Sequence, residues 1–348
     1  MGTFINLPFD ILFNILISVP DIKQYKTINK EFNFIVNGIF SYFNKKFNTI
    51  VNNWKKHLKI LVRELFIRND TKSIMFLIYN YNAQEEISFY AGYYNNLKLI
   101  ESDILTDMES LAIGAAEGGY IKTVKYAINR GAKYRNEIAF AAARGGNVDI
   151  LNYINSDYIL TIGELGVEYN HLDVVKYAIE MKKDIEARLA YKAAVYGRLK
   201  ILEYLLTIKN LDINNLILVA AIFGHLNIIE HYSRYIQDIN QVAFNAAKYG
   251  RIEVLKYALE HGANNRDYIV LGAIKGNKYN IVKFMLRLGI TNIDKVAYVA
   301  AKKGFIGIVK LALKNNANNI EEIFNAASIG NRRKILNYLQ KMKNKEGK

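Results

Sequence analysis

The amino-acid sequence predicts an all-α protein, an α-solenoid of about ten short helix–turn–helix repeats behind an N-terminal helical segment. A pair of small residues, most often Ala-Ala, recurs about every 26 residues, and an apolar pair follows each copy. The only two prolines are Pro8 and Pro20, so the rest of the 348-residue chain lacks the punctuation typical of strands and loops. No run of about 18 or more apolar residues occurs, so no transmembrane helix is expected.

The repeat is clearest in its second small residue, which is Ala in eight of the ten copies. It stands at positions 92, 116, 143, 167, 194, 221, 247, 273, 301 and 327. A small side chain here allows neighbouring helices to pack backbone against backbone. A Gly or Asn three positions later suits the left-handed residue that ends a helix. In the 273 and 327 copies one extra residue is inserted before the apolar pair that follows.

The apolar pair after each turn begins the buried stripe of a second helix. Val254, Leu255, Ala258 and Leu259 have the helical spacing of such a stripe. Two first helices also carry starting signals. Thr106 with Glu109 predicts a capping box, and Asn319 stands three residues before Glu322.

A single helix–turn–helix unit cannot bury its own apolar face, so the units are expected to stack into an elongated solenoid. The periods of tetratricopeptide and HEAT repeats, ~34 and ~40 residues, are longer than the one observed. The Leu-x-x-Leu-x-Leu strand pattern of leucine-rich repeats is missing.

The repeat residues resemble the ankyrin family over roughly residues 86–345. Gly-His-Leu-Asn-Ile-Ile at 224–229 and Gly-Ala-Asn at 262–264 are similar to the ankyrin core and its turn. The resemblance implies that His171 and His225 are structural. The period is shorter than the usual ~33 residues, which predicts a trimmed β-hairpin finger and recognition through the helix faces. Units this short and rich in Asn, Ile, Lys and Tyr resemble the ankyrin arrays of giant DNA viruses. The lack of a transmembrane run and of a signal-peptide pattern predicts an intracellular protein, and the viral resemblance implies a host cytoplasm. A monomer is expected.

Residues 1–45 do not follow the repeat and resemble an F-box, through Leu-Pro-x-x-Ile-Leu at 7–12 and Asn-Lys-x-Phe at 29–32. The resemblance implies that five residues bind the Skp-type adaptor of a cullin–RING ubiquitin ligase: Leu7, Pro8, Ile11, Leu12 and Ile15. The alternative is a hydrophobic helical cap that shields the first repeat. Residues 46–85 are predicted to be helical and form either a linker or one more degenerate repeat, and the array occupies residues 86–345.

The composition favours binding over catalysis. Lys and Arg number 47 against 32 Asp and Glu, a formal charge of +15, which favours nucleic acid, anionic surfaces or acidic partners. The absence of Cys excludes disulfides, Cys-ligated metals and Cys nucleophiles. No nucleophile triad, phosphate loop or metal-binding His spacing occurs. We therefore expect no enzyme, no cofactor and no metal site.

Two functions remain open from the sequence. The first is a protein-interaction scaffold, a substrate-recruiting adaptor of a cullin–RING ubiquitin ligase that holds its target in the repeat groove. The second is a basic solenoid that binds nucleic acid or an anionic surface, without a ligase. The second requires Lys and Arg aligned repeat after repeat on one face.

The ankyrin pattern implies that the two positions after each small pair face the target-binding groove. The second of these positions is aromatic in four consecutive repeats, at Tyr169, Tyr196, Phe223 and Tyr249. A basic flank lies beyond them, at Lys248, Lys275, Lys302 and Lys303. This combination suits an acidic protein segment, since aromatic side chains carry much of an interface's energy and charges steer encounter. Alternatively, the aromatic side chains pack on the helix of the next repeat.

Overall fold

The computed structural model describes residues 51–81 and 83–346, which form 22 α-helices and contain no β-strand. The expected all-α class is confirmed for this part of the chain. The F-box-like segment, with Leu7, Pro8, Ile11, Leu12 and Ile15, lies outside the described residues.

The helices form eleven pairs. The first helices of the pairs are α1 (Val51–Ile67), α3 (Gln84–Tyr93), α5 (Met108–Gly118), α7 (Arg135–Gly145), α9 (Ile159–Glu168), α11 (Glu186–Tyr196), α13 (Ile213–Phe223), α15 (Ile239–Tyr249), α17 (Arg266–Lys275), α19 (Ile293–Lys303) and α21 (Ile320–Ile329). The second helices are α2 (Thr71–Tyr81), α4 (Leu97–Ile100), α6 (Ile121–Asn129), α8 (Val148–Ile154), α10 (Leu172–Met181), α12 (Leu199–Ile208), α14 (Leu226–His231), α16 (Ile252–Glu260), α18 (Tyr279–Arg287), α20 (Ile306–Lys314) and α22 (Arg333–Glu346).

Contacts run between neighbours in the chain. Each first helix packs against its own second helix and against the first helix of the next pair. From α3 onward, the turn inside a pair takes two or three residues and the connection to the next pair takes four to seven. The described residues are therefore a repeat of stacked helix pairs, in which each pair buries the face that its neighbour leaves open.

The small residues lie at the seam between neighbouring first helices. Ala246 and Ala247 of α15 are fully buried, and so are Ala300 and Ala301 of α19. In α5, a Cβ atom on Gly114 would overlap the backbone carbonyl of Phe89 in α3. The seam is thus a backbone-to-backbone contact, as the recurrence of small residues predicts.

The apolar core continues along the array. Val254 and Leu255, the apolar pair that begins the stripe of α16, are buried, and so is Ala258 one turn later. Two buried clusters, within residues 58–177 and 167–339, meet end to end. Burying one Val or Leu side chain stabilises a fold by about 1.5–3 kcal/mol. Because neighbouring pairs cover these side chains, each pair depends mainly on its neighbours for its stability.

The predicted left-handed residue ends most first helices, as at Gly197, where φ is 71°. The prediction is wrong at Gly276 and Gly330, whose φ angles are −89° and −78°. These two copies carry the inserted residue. The inserted Asn277 and Asn331 adopt the left-handed conformation instead, with φ angles of 53° and 54°. Asn tolerates this conformation better than most residues, so the insertion moves the helix stop by one position.

The two predicted helix starts have different outcomes. Asn319 caps α21 as predicted, and its side chain accepts a hydrogen bond of 3.2 Å from the backbone N–H three residues later. The capping box predicted at Thr106 and Glu109 is wrong. Asp107 is the N-cap of α5 and accepts a hydrogen bond of 3.0 Å from the backbone N–H of Ser110. The Asp side chain competes better for the free N–H groups at the helix start.

The pair α1–α2 packs on α3 through aromatic side chains. The helices α1 and α2 lie within residues 46–85, the stretch predicted to be helical. The rings of Phe66 and Tyr94 stack with 6.0 Å between centroids and 17° between planes. Tyr90 of α3 is buried against both rings, and this burial raises the pKa of its hydroxyl.

Candidate interaction surface

A row of side chains ties each pair to the preceding one. The row consists of the residue just before each second helix. His225 precedes α14, and its Nε2 lies 2.7 Å from the carbonyl oxygen of Val195 at the end of α11. Arg251 precedes α16, and its Nε donates to the carbonyl of Ile222 at 2.8 Å. These carbonyls stand at helix C-termini, where no intrahelical donor reaches them.

The same contact recurs along the array. Side chains that reach the end of the preceding first helix are those of Asn147, His171, Arg198 and Arg332. His171 and His225 therefore act as helix-end donors between pairs, in line with the structural role that the ankyrin resemblance implies.

A second row lies at the opposite ends of the first helices. Asn240 in the first turn of α15 accepts a hydrogen bond of 2.9 Å from the backbone N–H of Asn264, in the connection to the next pair. Asp267 of α17 accepts one of 3.0 Å from the N–H of Thr291. Burial opposes ionisation of Asp267, but hydrogen bonds from Thr291 and Asn292 outweigh it and lower the pKa of the carboxyl. The Glu109 carboxylate likewise accepts hydrogen bonds from two backbone N–H groups of the connection after α6.

We call the end of the array where first helices stop and second helices start the turn edge. It comprises segments 117–123, 144–150, 168–174, 195–201, 222–228, 248–254, 274–281, 302–308 and 328–335. The structure brings all the groove residues expected from the sequence to this edge. Tyr196, Phe223, Tyr249, Lys275 and Lys303 each end their first helix. Tyr169 follows α9 directly, and Lys248 and Lys302 are the last residues but one of α15 and α19.

The aromatic strip consists of Tyr169, Tyr196, Phe223 and Tyr249. Tyr169, Phe223 and Tyr249 are 45%, 38% and 40% exposed. Tyr196 is half-buried against the core, and burial raises the pKa of its hydroxyl, as does its hydrogen bond to the Glu168 carboxylate. In the described structure none of these four rings stacks on another. Three of the four side chains are therefore more than a third exposed, while Tyr196 packs within the array.

The basic flank lies beside the strip. Lys275, Lys302 and Lys303 are exposed. Lys248 Nζ lies 5.0 Å from the centroid of the Tyr249 ring, and Lys275 Nζ lies 5.2 Å from that of Phe244. These are cation–π distances, which hold the ammonium groups near aromatic surface without neutralising them.

The turn edge changes its charge along the array. Its first five segments, from 117–123 to 222–228, contain four Lys or Arg and four Asp or Glu. Its last four segments, from 248–254 to 328–335, contain nine Lys or Arg and one carboxylate, Glu253. We call these nine residues the basic turn edge: Lys248, Arg251, Lys275, Lys278, Lys302, Lys303, Arg332, Arg333 and Lys334.

Sequence reasoning found four of these nine residues as a flank and missed the edge as a whole. Lys278, for example, precedes α18, and its alignment with Arg251 and Arg332 depends on where each turn ends. The inserted residues in two copies hide that alignment in the sequence. Counting Lys and Arg from the left-handed residue, instead of from the small pair, would have revealed it.

The remaining surface offers few features that suggest chemistry. Within residues 51–81 and 83–346, no three His, Asp or Glu side chains converge to hold a metal ion. No helix there has the length and apolar character that a membrane span needs. An open depression of about 470 Å³ beside α8 and α10 is lined by Asp149, Asp173, Lys176 and Glu180.

Comparison with known proteins adds no relative: no protein-family model matches the chain, and no curated protein matches it. The ankyrin and F-box resemblances therefore rest on the sequence motifs alone.

Proposed function

We propose that this chain is a non-enzymatic protein-interaction scaffold, a solenoid of ten short ankyrin-like repeats, α3–α22. The aromatic strip at the turn edge is its target-binding surface. The observation that carries the proposal is the exposure of Tyr169, Phe223 and Tyr249 at equivalent ends of first helices. An array that buries its small and branched side chains in the seam yet leaves these three aromatic rings more than a third exposed along one edge presents anchors for a partner.

The ankyrin-like assignment is supported by three regular features. The small-residue seam, the helix-end donors such as His225, and the short turns recur from pair to pair. The absence of strands between α3 and α22 is consistent with a trimmed finger. A viral origin and a host-cytoplasm location remain predictions of the same resemblance.

The target-binding proposal is tested with two double variants of the full chain. Phe223→Ala with Tyr249→Ala removes the exposed anchors, and Tyr134→Ala with Tyr191→Ala removes two exposed tyrosines away from the strip. Affinity capture followed by mass spectrometry identifies the target with the native chain. The strip variant should lose that target at least tenfold, which corresponds to about 1.4 kcal/mol, and the control should keep it. Equal capture by both variants, with unchanged circular dichroism, would place the binding surface elsewhere.

The ligase part of the proposal concerns residues 1–45. We propose that Leu7, Pro8, Ile11, Leu12 and Ile15 bind a Skp-type adaptor and so deliver the captured target to a cullin–RING ligase. Leu7→Ala with Pro8→Ala should abolish co-purification of the adaptor and leave target capture intact. If the native chain never captures the adaptor, the segment is a cap and the scaffold acts without a ligase.

A further inference from the structure

The basic turn edge is long and uniform in sign. Neighbouring helices pack about 8–10 Å apart, so four successive pairs carry this edge over about 25–30 Å. Each pair contributes two or three cations, and Glu253 is the one carboxylate among them. Lys275, Lys302 and Lys303 are exposed at the ends of α17 and α19.

Within the residues that the structure describes, none of these nine cations contacts a carboxylate. Within residues 239–346 the structure shows one ion pair, Lys256 to Glu253 at 3.2 Å, and Lys256 lies outside the basic turn edge. By contrast, residues 103–231 hold seven contacts of Lys or Arg with carboxylates. Arg251 and Arg332 donate to backbone carbonyls, which leaves their charge unneutralised. The edge therefore presents a net positive field to solvent.

Exposed aromatic side chains lie among these cations. Tyr249 ends α15 and is 40% exposed, and Tyr279 begins α18 and is 43% exposed. Phe305, just before α20, is partly exposed. Cations that follow a phosphate backbone, with aromatic faces on which bases stack, are the two components of single-strand recognition.

We propose that the basic turn edge binds single-stranded nucleic acid. Its lysines and arginines contact successive phosphates, and Tyr249 and Tyr279 stack on bases. A nucleic-acid strand carries one negative charge per nucleotide, and the basic turn edge offers two or three cations at every helix pair. The unpaired bases of a single strand are open to stacking, whereas the bases of a duplex are not. An acidic protein segment is the competing occupant, and it would use the charges but gain nothing from base stacking.

Binding is measured by fluorescence anisotropy of the full chain with a labelled oligothymidylate of about 20 nucleotides. If about five phosphates are contacted, affinity should fall about 100-fold between about 50 and about 200 mM salt. A polyglutamate peptide of equal charge is the competitor. Unlabelled oligonucleotide is the reference competitor. If polyglutamate displaces the labelled oligonucleotide at a lower concentration than the unlabelled oligonucleotide does, the proposal is overturned in favour of an acidic protein segment.

Two matched triple variants locate the site. Lys275, Lys302 and Lys303 changed to Gln should weaken oligonucleotide binding at least about tenfold. Lys256, Lys283 and Lys310 changed to Gln remove the same charge from exposed positions on second helices of the same stretch, and should weaken it less than about threefold. Equal losses would show diffuse attraction to the whole surface and overturn the site.

The aromatic contribution has its own readout. Tyr279→Ala should weaken oligothymidylate binding about fivefold or more, since stacking contributes about 1–3 kcal/mol per base. It should leave binding of inorganic polyphosphate, which has no bases, unchanged. A parallel loss for both ligands would contradict base stacking. These outcomes do not depend on the aromatic-strip variants, so the two proposals can fail separately.

Discussion

Two stretches of the array share one fold and differ in charge. Residues 108–231, helices α5–α14, contain 14 Lys or Arg and 14 Asp or Glu. Residues 239–346, helices α15–α22, contain 19 Lys or Arg and 7 Asp or Glu, a formal charge of +12. In the first stretch six of the 14 cations contact carboxylates, mostly in neighbouring repeats, whereas the second leaves most of its cations exposed to solvent.

The comparison separates what determines the fold from what is free to vary. Both stretches have the small-residue seam, the apolar pair that starts each second helix, and donors such as His225 and Arg251 at helix ends. The formal charge rises from zero to +12 over the same framework. Net charge of this kind bears on association and not on the fold, and in the second stretch it is the basis of the proposed nucleic-acid binding.

The largest expected effect tests whether the seam is common to both stretches. Gly114→Ala and Gly276→Ala should each destabilise the protein by about 1–3 kcal/mol, because the added Cβ would overlap the carbonyl of Phe89 or Lys248. Chemical denaturation measures the free energy of unfolding. At Gly114, which lies inside α5, a Gly→Ala change without that contact would stabilise the protein by up to about 1 kcal/mol, so the sign of the effect is diagnostic there.

Gly131→Ala and Gly262→Ala are the matched controls, one in each stretch. Both positions have open space around a Cβ but φ angles of 114° and 101°, so they should cost about 1 kcal/mol through the backbone alone. A large loss at Gly114 with none at Gly276 would mean that the two stretches do not share the same seam.

A smaller effect concerns the row of first-turn acceptors and its dependence on pH. Asp267→Ala and Asn240→Ala should each cost about 1 kcal/mol at pH 6, because each removes an acceptor for the next connection. The pKa of Asp267 is lowered on folding, so its stabilisation is present above the ordinary value of about 3.9 and is lost as the pH falls through the folded value. The cost of Asp267→Ala should therefore shrink below about pH 4, and that of Asn240→Ala should stay constant. Parallel pH profiles would show that ionisation of Asp267 adds nothing.

The smallest effect compares the same helix position in both stretches. Arg144 is the last residue but one of α7 and contacts Glu117 at 3.0 Å, with both side chains about three-quarters buried. Lys302 is its equivalent in α19 and has no carboxylate contact in the structure. Arg144→Gln should cost up to about 1 kcal/mol at low salt and less at high salt. Lys302→Gln should be neutral or slightly stabilising. If thermal unfolding shows that both substitutions destabilise the protein equally, the two stretches do not differ at this position.

The repeat was predictable because its signals are local. The Ala pair, the Gly or Asn stop and the apolar pair follow one another within about a dozen residues, and each has one physical cause. The errors arose where a single residue shifts a local register. Asn277 and Asn331 take over the left-handed position from the preceding Gly, and Asp107 caps α5 one residue after the predicted cap.

The surface was less predictable because it joins residues about 27 positions apart. The ends of first helices could be read from the small pair, which placed Tyr169, Phe223 and Tyr249 on one edge. Their exposure, and the half-burial of Tyr196, depend on packing that the sequence does not state. The basic turn edge required exact turn positions in four pairs, so only part of it was found.

The most direct test of the division between the stretches is hydrogen exchange of the full chain at about 20 and about 500 mM salt. Screening should relieve like-charge repulsion in residues 239–346, so amides there should gain protection as salt rises. Amides in residues 108–231 should keep their protection or lose some, because salt weakens their ion pairs. A uniform change along the array, or a gain confined to residues 108–231, would contradict the account.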